Sequence, residues 1–156
     1  MNTPASPRDH GDATLALSSP ATLGDVAGLA MKLRQFVGPQ TPETQVDEIE
    51  IGVVEALTNV VKHAYAGRAG SLELRCEHQT ERIVIELIDH GDALPAGRLE
   101  GADGTVFQFD PEDVENIPQG GMGLALIRAS FDEVQYDSEP GCNRLTLVKH
   151  VRKASA

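Results

Sequence analysis

Glu55 and Asn59 are the first residues in the sequence whose types and spacing could do chemistry. They are four apart in a run with helical periodicity, so their side chains project to the same side, with His63 one turn further along. An Asn carbonyl can ligate Mg²⁺, and a Glu carboxylate can accept a proton. A solvated helix face is the alternative. However, Asn59 and Gly52 are poor helix formers in the middle of the helix. Exposure to solvent alone does not explain residues of low helix propensity at these positions.

A second candidate group follows the apolar run ERIVIELI and consists of Asp89, His90 and Gly91. A carboxylate at the end of a strand can accept a hydrogen bond from a ligand amine. The glycine after it has no Cβ, which leaves room for the ligand to approach. An ordinary Asp-x-Gly turn is the alternative interpretation.

The third group is the glycine-rich run QGGMGL at residues 119–124, directly before an apolar helical segment. Glycine-rich backbone at the N-terminus of a helix presents free amides to phosphate oxygens, and the helix dipole adds to the attraction. The run is neither a P-loop, which needs Gly-Lys-Ser/Thr, nor a dinucleotide-binding fingerprint, since no strand directly precedes it. A flexible entry into a helix is the alternative.

Hydrophobic periodicity predicts the elements that must position these groups. Strands are predicted at 13–18, 71–79 and 81–89, with two more over 132–151; helices are predicted from Ser19-Pro20 to Val37, from Thr41-Pro42 to about Tyr65, and over 120–131. Thr41 is expected to cap the long helix. The buried stripe of that helix is expected to comprise Val46, Ile49, Val53, Leu57, Val60 and Ala64. This order predicts an α+β fold, a two-layer sandwich with a mixed, mostly antiparallel sheet covered by helices on one face.

The 156 residues amount to one domain. Residues 1–12 are expected to be a flexible tail, 13–150 the folded domain and 151–156 a C-terminal tail. Residues 91–119 contain no long apolar period, and a loop of that length inside a domain is typical of a functional lid or a disordered insert. The two cysteines, Cys76 and Cys142, have no metal-site spacing and are predicted to be buried, reduced thiols.

The net charge of -11, from 13 basic and 24 acidic residues, argues against binding to nucleic acid or to an anionic membrane surface. A protein partner with a basic surface fits this charge better. No signal-peptide core and no apolar run of about 18 residues is present, so a cytoplasmic location is expected.

Together the three groups resemble the N, G1 and G2 boxes of the GHKL ATPases, the family of gyrase, MutL and the histidine kinases, which share the Bergerat fold. The runs EALTNVVKHAY and GGMGLALIRASFDEV are most similar to the anti-sigma-factor serine/threonine-protein kinase branch, which acts in bacterial partner switching. The resemblance covers roughly residues 13–150.

The resemblance implies a site for ATP and Mg²⁺. Glu55 would be the general base that takes the proton from a serine hydroxyl, and Asn59 would hold the Mg²⁺. Asp89 would accept from the adenine amino group, with Gly91 beneath the base. Lys62 and His63 are near enough to contact phosphate, although a surface pair explains them equally well.

The G2 box, residues 120–124, would supply the remaining nucleotide contacts. Gly121 and Gly123 would let the lid fold over the triphosphate, and Gly120, Met122 and Leu124 belong to the same binding motif. The last strand lacks the Gly-Thr pair that relatives often carry near adenine, so no adenine contact is expected there.

The function implied is that of an anti-sigma factor and protein serine kinase. It would sequester a sigma factor and phosphorylate a serine of an anti-sigma antagonist of the STAS type. A homodimer is expected, with no direct contact to nucleic acid or membrane. The alternative is a non-catalytic module that binds nucleotide and works only by holding a regulatory protein partner.

Overall fold

The computed structural model describes residues 12–94 and 122–152, with Met122 described in its backbone only. The strands are β1 (Ala13–Pro20), β2 (Ser71–His78), β3 (Arg82–Asp89), β4 (Glu133–Glu139) and β5 (Cys142–His150). The α-helices are α1 (Leu23–Val37), α2 (Glu43–Asn59) and α3 (Met122–Ser130). Most of the predicted N-terminal tail, the predicted lid beyond Leu94, and both Gly120 and Gly121 lie outside the described residues.

The strands form one sheet in the order β1-β2-β3-β5-β4, and every neighbouring pair is antiparallel. The α+β prediction is therefore confirmed, and the described sheet is antiparallel throughout rather than mixed. The hairpin between β2 and β3 is confirmed as well. In the pairing of β3 with β5, Asp89 lies opposite Asn143, which brings the end of one strand beside the start of the other.

Inward-facing strand residues and the apolar stripes of the helices form one core. Along β2 and β3 the buried positions alternate, as a sheet with one covered face requires. On α2 the predicted stripe is buried at Val46, Ile49, Val53 and Leu57, but it is only half-buried at Val60 and Ala64. The helices therefore cover one face of the sheet, as predicted.

The predicted start of the first helix at Ser19-Pro20 is wrong. Both residues continue β1, where Ser19 pairs with Leu72 on β2. The helix begins at Leu23 instead, because the side chain of Thr22 accepts a hydrogen bond from the backbone N–H of Asp25 at 3.1 Å. The side chain of Thr22 thus satisfies a free amide at the start of the helix, while the Ser19 hydroxyl donates to the Pro20 carbonyl at 3.0 Å.

The predicted cap of α2 by Thr41 is also wrong. Thr41 ends the short 3₁₀ turn Gly38–Gln40, and its buried Oγ1 has no hydrogen-bond partner among the described residues. Pro42 stands at the N-cap, and its carbonyl accepts from the N–H of Gln45 at 2.9 Å. The backbone alone therefore starts this helix.

The two cysteines are free, but they differ in burial from the prediction. Cys76 is buried, and desolvation raises the pKa of its thiol to about 12, whereas Cys142 is only half-buried. Beyond β5, the N–H of Val151 donates to the Glu81 carbonyl, and that of Arg152 donates to Gln45 Oε1, both at 2.9 Å. The predicted C-terminal tail is therefore held to the domain over its first two residues.

Among the described helices, none is long and apolar enough to cross a membrane.

Gly52 lies where α2 packs against the end of α3. A Cβ at this position would lie 2.5 Å from Phe131 Cε2 and 2.9 Å from Ser130 Cβ, so any side chain would separate the two helices. Nearby, Lys149 Nζ donates to Glu48 Oε2 at 2.5 Å and to the Ser130 carbonyl at 2.7 Å. Close packing and a buried cation thus fix α3 against α2.

We expect Gly52→Ala to lower the free energy of unfolding by about 1–3 kcal/mol, because the added methyl overpacks this contact. Gly28→Ala is the matched control, since a Cβ at this exposed position on α1 meets nothing within 4 Å. That control should be neutral or stabilising by up to about 1 kcal/mol. Urea unfolding measures both variants, and equal stability of the two would contradict the packing account.

Candidate active site

The C-terminal half of α2 carries two of the predicted site residues, Glu55 and Asn59. Both side chains are half-buried, and no described residue forms a hydrogen bond with either. After Asn59 the helix continues as the π-helical turn Val60–Ala64, in which the N–H of Tyr65 donates to the Val60 carbonyl at 3.0 Å. Such turns are frequent at functional sites.

Gly123 on α3 lies against both of these side chains. A Cβ built on Gly123 would stand 3.1 Å from Glu55 Oε2 and 3.5 Å from Asn59 Nδ2. The first distance is tighter than ordinary van der Waals contact. The structure therefore brings the first and third predicted groups together, and glycine at this position keeps the space between the helices open.

Asp89 ends β3 and is buried, with 5% of its surface exposed. Its Oδ1 accepts from the backbone N–H of Gly91 and from Asn143 Nδ2, both at 2.9 Å. No described group donates to its Oδ2. One oxygen of the carboxylate is thus fully used by the protein, and the other is available to a ligand.

Asp89 and Asn59 line a single cavity of about 300 Å³. Its walls come from α2 and the π-helical turn, the end of β3, α3, β4 and β5. The lining residues are Ala56, Asn59, Val60, His63, Ala64, Asp89, Asp92, Ala93, Leu94, Leu124, Ile127, Tyr136 and Leu145. A mostly apolar pocket with a few polar groups is the usual form of a small-molecule site.

Gly91 packs against the end of the long helix. A Cβ there would lie 2.5 Å from the Ala64 carbonyl oxygen, which also accepts from the N–H of Asp92 at 2.8 Å. Glycine is thus needed at this position because the two backbone segments pack closely. The sequence had suggested a different reason, room for a ligand to approach. That Gly91 lies beneath a bound base stays a prediction.

The other predicted residues lie around this cavity with different degrees of contact. His63 and Leu124 line it, whereas the exposed Lys62 is not among its lining residues. Gly120 and Gly121 lie outside the described residues, as does the side chain of Met122. The expected roles of these three residues and of Lys62 stay predictions.

Sequence reasoning missed several residues at the site, among them Asn143, Tyr136 and Leu145. Tyr136 and Leu145 line the cavity, and the Tyr136 hydroxyl accepts from the backbone N–H of Leu94 at 2.9 Å. The sequence contains a pattern that could have identified Asn143, because it alternates with Leu145 and Leu147 on the inward face of β5. A polar residue at a core position needs a buried partner.

A second, larger cavity lies on the outer side of the helical layer and is here called the α1/α2 groove. It measures about 960 Å³ and is lined by Leu23, Val26, Ala27, Ala30, Met31, Arg34, Asp47, Glu50, Ile51, Val54, Glu55 and Thr58. Three of these are large apolar side chains about half exposed, Leu23 (52%), Met31 (60%) and Ile51 (48%). Glu55 faces this groove, whereas Asn59, one turn further along, faces the smaller cavity.

The groove also holds a small ionic cluster. Arg34 Nη1 lies 2.7 Å from both Asp47 Oδ1 and Glu50 Oε2, and these hydrogen bonds raise the pKa of the arginine. Because Arg34 is paired to two carboxylates, the described lining of the groove keeps an excess of negative charge, to which Glu55 adds.

In the part of the chain that the structure describes, no three His, Cys, Asp or Glu residues are grouped as metal ligands. Among the described residues that line the cavity, Asn59, His63, Asp89 and Asp92 carry candidate ligand atoms, and the side-chain oxygen of Asn59 is the one expected from the sequence. Mg²⁺ often takes only one or two protein oxygens and completes its shell with water and substrate phosphates. These ligand atoms therefore fit a Mg²⁺ ion that is bound together with a nucleotide. They fit an ion coordinated by protein ligands alone less well.

With a helical layer over an antiparallel sheet and this cavity between them, the fold defines a two-layer α+β domain with a cavity of the kind that takes a small molecule. The family model for the histidine kinase-like ATPase domain matches residues 19–149. The chain therefore belongs to the histidine kinase-like ATPase family.

Among similar curated proteins are two named serine-protein kinase RsbW. The one from Staphylococcus aureus is 32% identical over 111 residues, which is 69% of this chain and 67% of that protein. The one from Staphylococcus epidermidis is 32% identical over 110 residues, with the same coverage. Both relatives are named as serine-protein kinases.

A solved structure of the RsbU and RsbW domains of a Mycobacterium tuberculosis protein has a similar fold. It matches with a TM-score of 0.62 and 16% identity over 89% of this chain. The match spans about a third, 32%, of the solved chain.

We expect Gly123→Ala to affect nucleotide binding and stability in opposite directions. The methyl would crowd Glu55 and Asn59 and weaken nucleotide affinity by about tenfold, equivalent to about 1.4 kcal/mol. On helical propensity alone, alanine should stabilise α3 by up to about 1 kcal/mol. Calorimetric titration and thermal unfolding measure the two effects. Unchanged affinity would contradict the close contact, and Gly28→Ala again serves as the control.

Proposed function

We propose that this protein is an anti-sigma factor and an ATP-dependent serine kinase of a partner-switching system. In this proposal it phosphorylates a serine of a STAS-type anti-sigma antagonist and sequesters a sigma factor. The family match and the RsbW-named relatives support the proposal at the level of the family. The residues of the site support it at the level of chemistry.

One observation carries the proposal: Glu55 and Asn59, one helical turn apart, line different cavities. Glu55 lines the α1/α2 groove, Asn59 lines the smaller cavity, and Gly123 lies against both side chains. A kinase needs its base to reach an acceptor hydroxyl while the nucleotide occupies a separate site. The groove offers a protein segment a path to Glu55 that does not pass through the nucleotide cavity.

In the reaction, Glu55 accepts the proton of the serine hydroxyl as the serine oxygen attacks the γ-phosphorus. The bond from the γ-phosphorus to the bridging oxygen breaks, and ADP leaves with that oxygen. The charge of the transferred group spreads over its oxygens, so positioning and electrostatic stabilisation supply most of the catalysis. A general base typically contributes about 10²–10⁴ in rate.

ATP and Mg²⁺ are the proposed cofactors. Asp89 Oδ2 has no donor from the described residues, so it can accept from an amino group on the base. Asn59 would hold Mg²⁺, which would supply positive charge to offset the charge of the phosphates. His63 lines the same cavity and can donate to a phosphate.

The proposed partners are proteins, and the α1/α2 groove supports this. Its half-exposed apolar side chains, Leu23, Met31 and Ile51, suit a protein interface. The acidic groups around them suit a partner segment that carries basic residues. We also propose a homodimer in the cytoplasm without direct contact to nucleic acid or membrane, in keeping with the net charge of -11.

Glu55→Gln should lower the transfer of labelled phosphate from ATP to a serine of the STAS partner by about 10²–10⁴-fold. Glutamine keeps the size of the side chain but removes the proton acceptor, so nucleotide affinity should stay within a few-fold of the wild type. Radiolabel transfer and calorimetric titration with ADP give the two readouts.

Glu43→Gln is the matched control, because it makes the same change at an exposed position on the same helix, outside the α1/α2 groove and away from Asn59 and Gly123. It should retain transfer. Loss of nucleotide binding in Glu55→Gln, or unchanged transfer, would rule out Glu55 as the base. A wild-type protein that transfers no label but binds its partner only with nucleotide would instead favour the non-catalytic binding module.

A further inference from the structure

Asn143 is the most deeply buried polar side chain beside the nucleotide cavity, with 2% of its surface exposed. Its Nδ2 donates to Asp89 Oδ1 and to the Gly91 carbonyl, both at 2.9 Å. Its Oδ1 accepts from Ser138 Oγ at 2.7 Å. Strand pairing places it there, since Asn143 lies opposite Asp89 between β5 and β3 and opposite Ser138 between β5 and β4.

The partners fix which way the Asn143 amide points. A carboxylate oxygen and a backbone carbonyl can only accept, so both hydrogens of Nδ2 are needed on that side. The amide oxygen must therefore face Ser138, whose hydroxyl donates to it. A flipped amide would put its oxygen against two acceptors, and buried polar groups left unpaired are costly.

This arrangement controls the direction of the Asp89 carboxylate. Its Oδ1 accepts from Asn143 and from the Gly91 N–H, which leaves Oδ2 as the oxygen without a donor from the described residues. An ionised carboxylate is an acceptor only. A ligand atom that meets Oδ2 must therefore carry a hydrogen to donate, and a ligand oxygen at the same point would be repelled.

We propose that Asn143 is a positioning residue that determines base specificity. By holding Asp89 Oδ1, it aims Oδ2 at the exocyclic amino group of a 6-aminopurine and disfavours a 6-oxopurine. The inference rests on the proposed nucleotide site and adds the residue that sets its selectivity. Asn143 acts through Asp89, and Ser138 acts through Asn143.

The test compares ADP with inosine diphosphate, which carries oxygen in place of the amino group, by calorimetric titration in the presence of Mg²⁺. The wild type should bind ADP at least about tenfold more tightly. Asn143→Ala should weaken ADP binding by about tenfold and leave inosine diphosphate nearly unchanged, so that selectivity shrinks. Equal weakening of both ligands, or no change, would overturn the inference.

A double-variant cycle shows whether Asn143 acts through Asp89. Asp89→Asn should remove the selectivity for ADP, and adding Asn143→Ala to it should cause no further loss. If the two substitutions reduced selectivity additively, Asn143 would not act through Asp89.

Two further variants keep the test decisive. Arg144→Gln alters the neighbouring residue, whose side chain pairs with Glu86 at 3.2 Å and is exposed, and should leave both affinities unchanged. If Asn143→Ala does not fold, Ser138→Ala should reduce selectivity in the same direction by a smaller factor, and unaltered selectivity there would refute the chain of contacts. If the wild type binds neither nucleotide, the proposed function itself fails, and this inference fails with it.

Discussion

The close approach of two backbone segments, at Ala64 and Gly91, is the constraint on which the site depends. The Ala64 carbonyl accepts from the Asp92 N–H at 2.8 Å, and a Cβ on Gly91 would lie 2.5 Å from the same oxygen. The neighbouring Tyr65 hydroxyl donates to the Ser71 carbonyl and accepts from the His90 N–H. These contacts tie the end of the long helix to the end of a central strand.

Because those two ends are tied together, residues about 30 positions apart in sequence share one cavity. Asn59 approaches it from the helix and Asp89 from the strand, while Gly123 on α3 lies against Asn59 and Glu55. Glu55, one turn before Asn59, faces the outer groove as well. The proposed nucleotide side and the proposed acceptor side of the site thus adjoin the same helix, and a transfer requires the reacting atoms of the two bound molecules to meet beside it at about 3–3.5 Å.

Local sequence patterns predicted most of this architecture. The hairpin of β2 and β3, the long helix and the final two strands follow from periodicity. Of the residues that the motifs marked, Asn59 and Asp89 line one cavity, and Glu55 lies one turn before Asn59. The start of α1 was predicted wrongly because a Ser-Pro pair also fits the end of an edge strand. Pro20 has no backbone N–H, and an edge strand tolerates the missing donor. Asn143 was missed because its partners are set by strand register, which couples it to Asp89 across 54 residues. Likewise, no local pattern shows that Gly91 is needed for packing against Ala64.

The central claim is that the cavity between Asp89 and Asn59 holds a nucleotide, with Glu55 at its edge facing the acceptor. A crystal structure of the protein with Mg²⁺ and a non-hydrolysable ATP analogue tests it most directly. The account predicts that the adenine amino group donates to Asp89 Oδ2 and that the Asn59 side-chain oxygen ligates Mg²⁺. It also predicts that the Glu55 carboxylate makes no contact with the base. A nucleotide bound elsewhere, or one in this cavity with its base away from Asp89, would contradict the account.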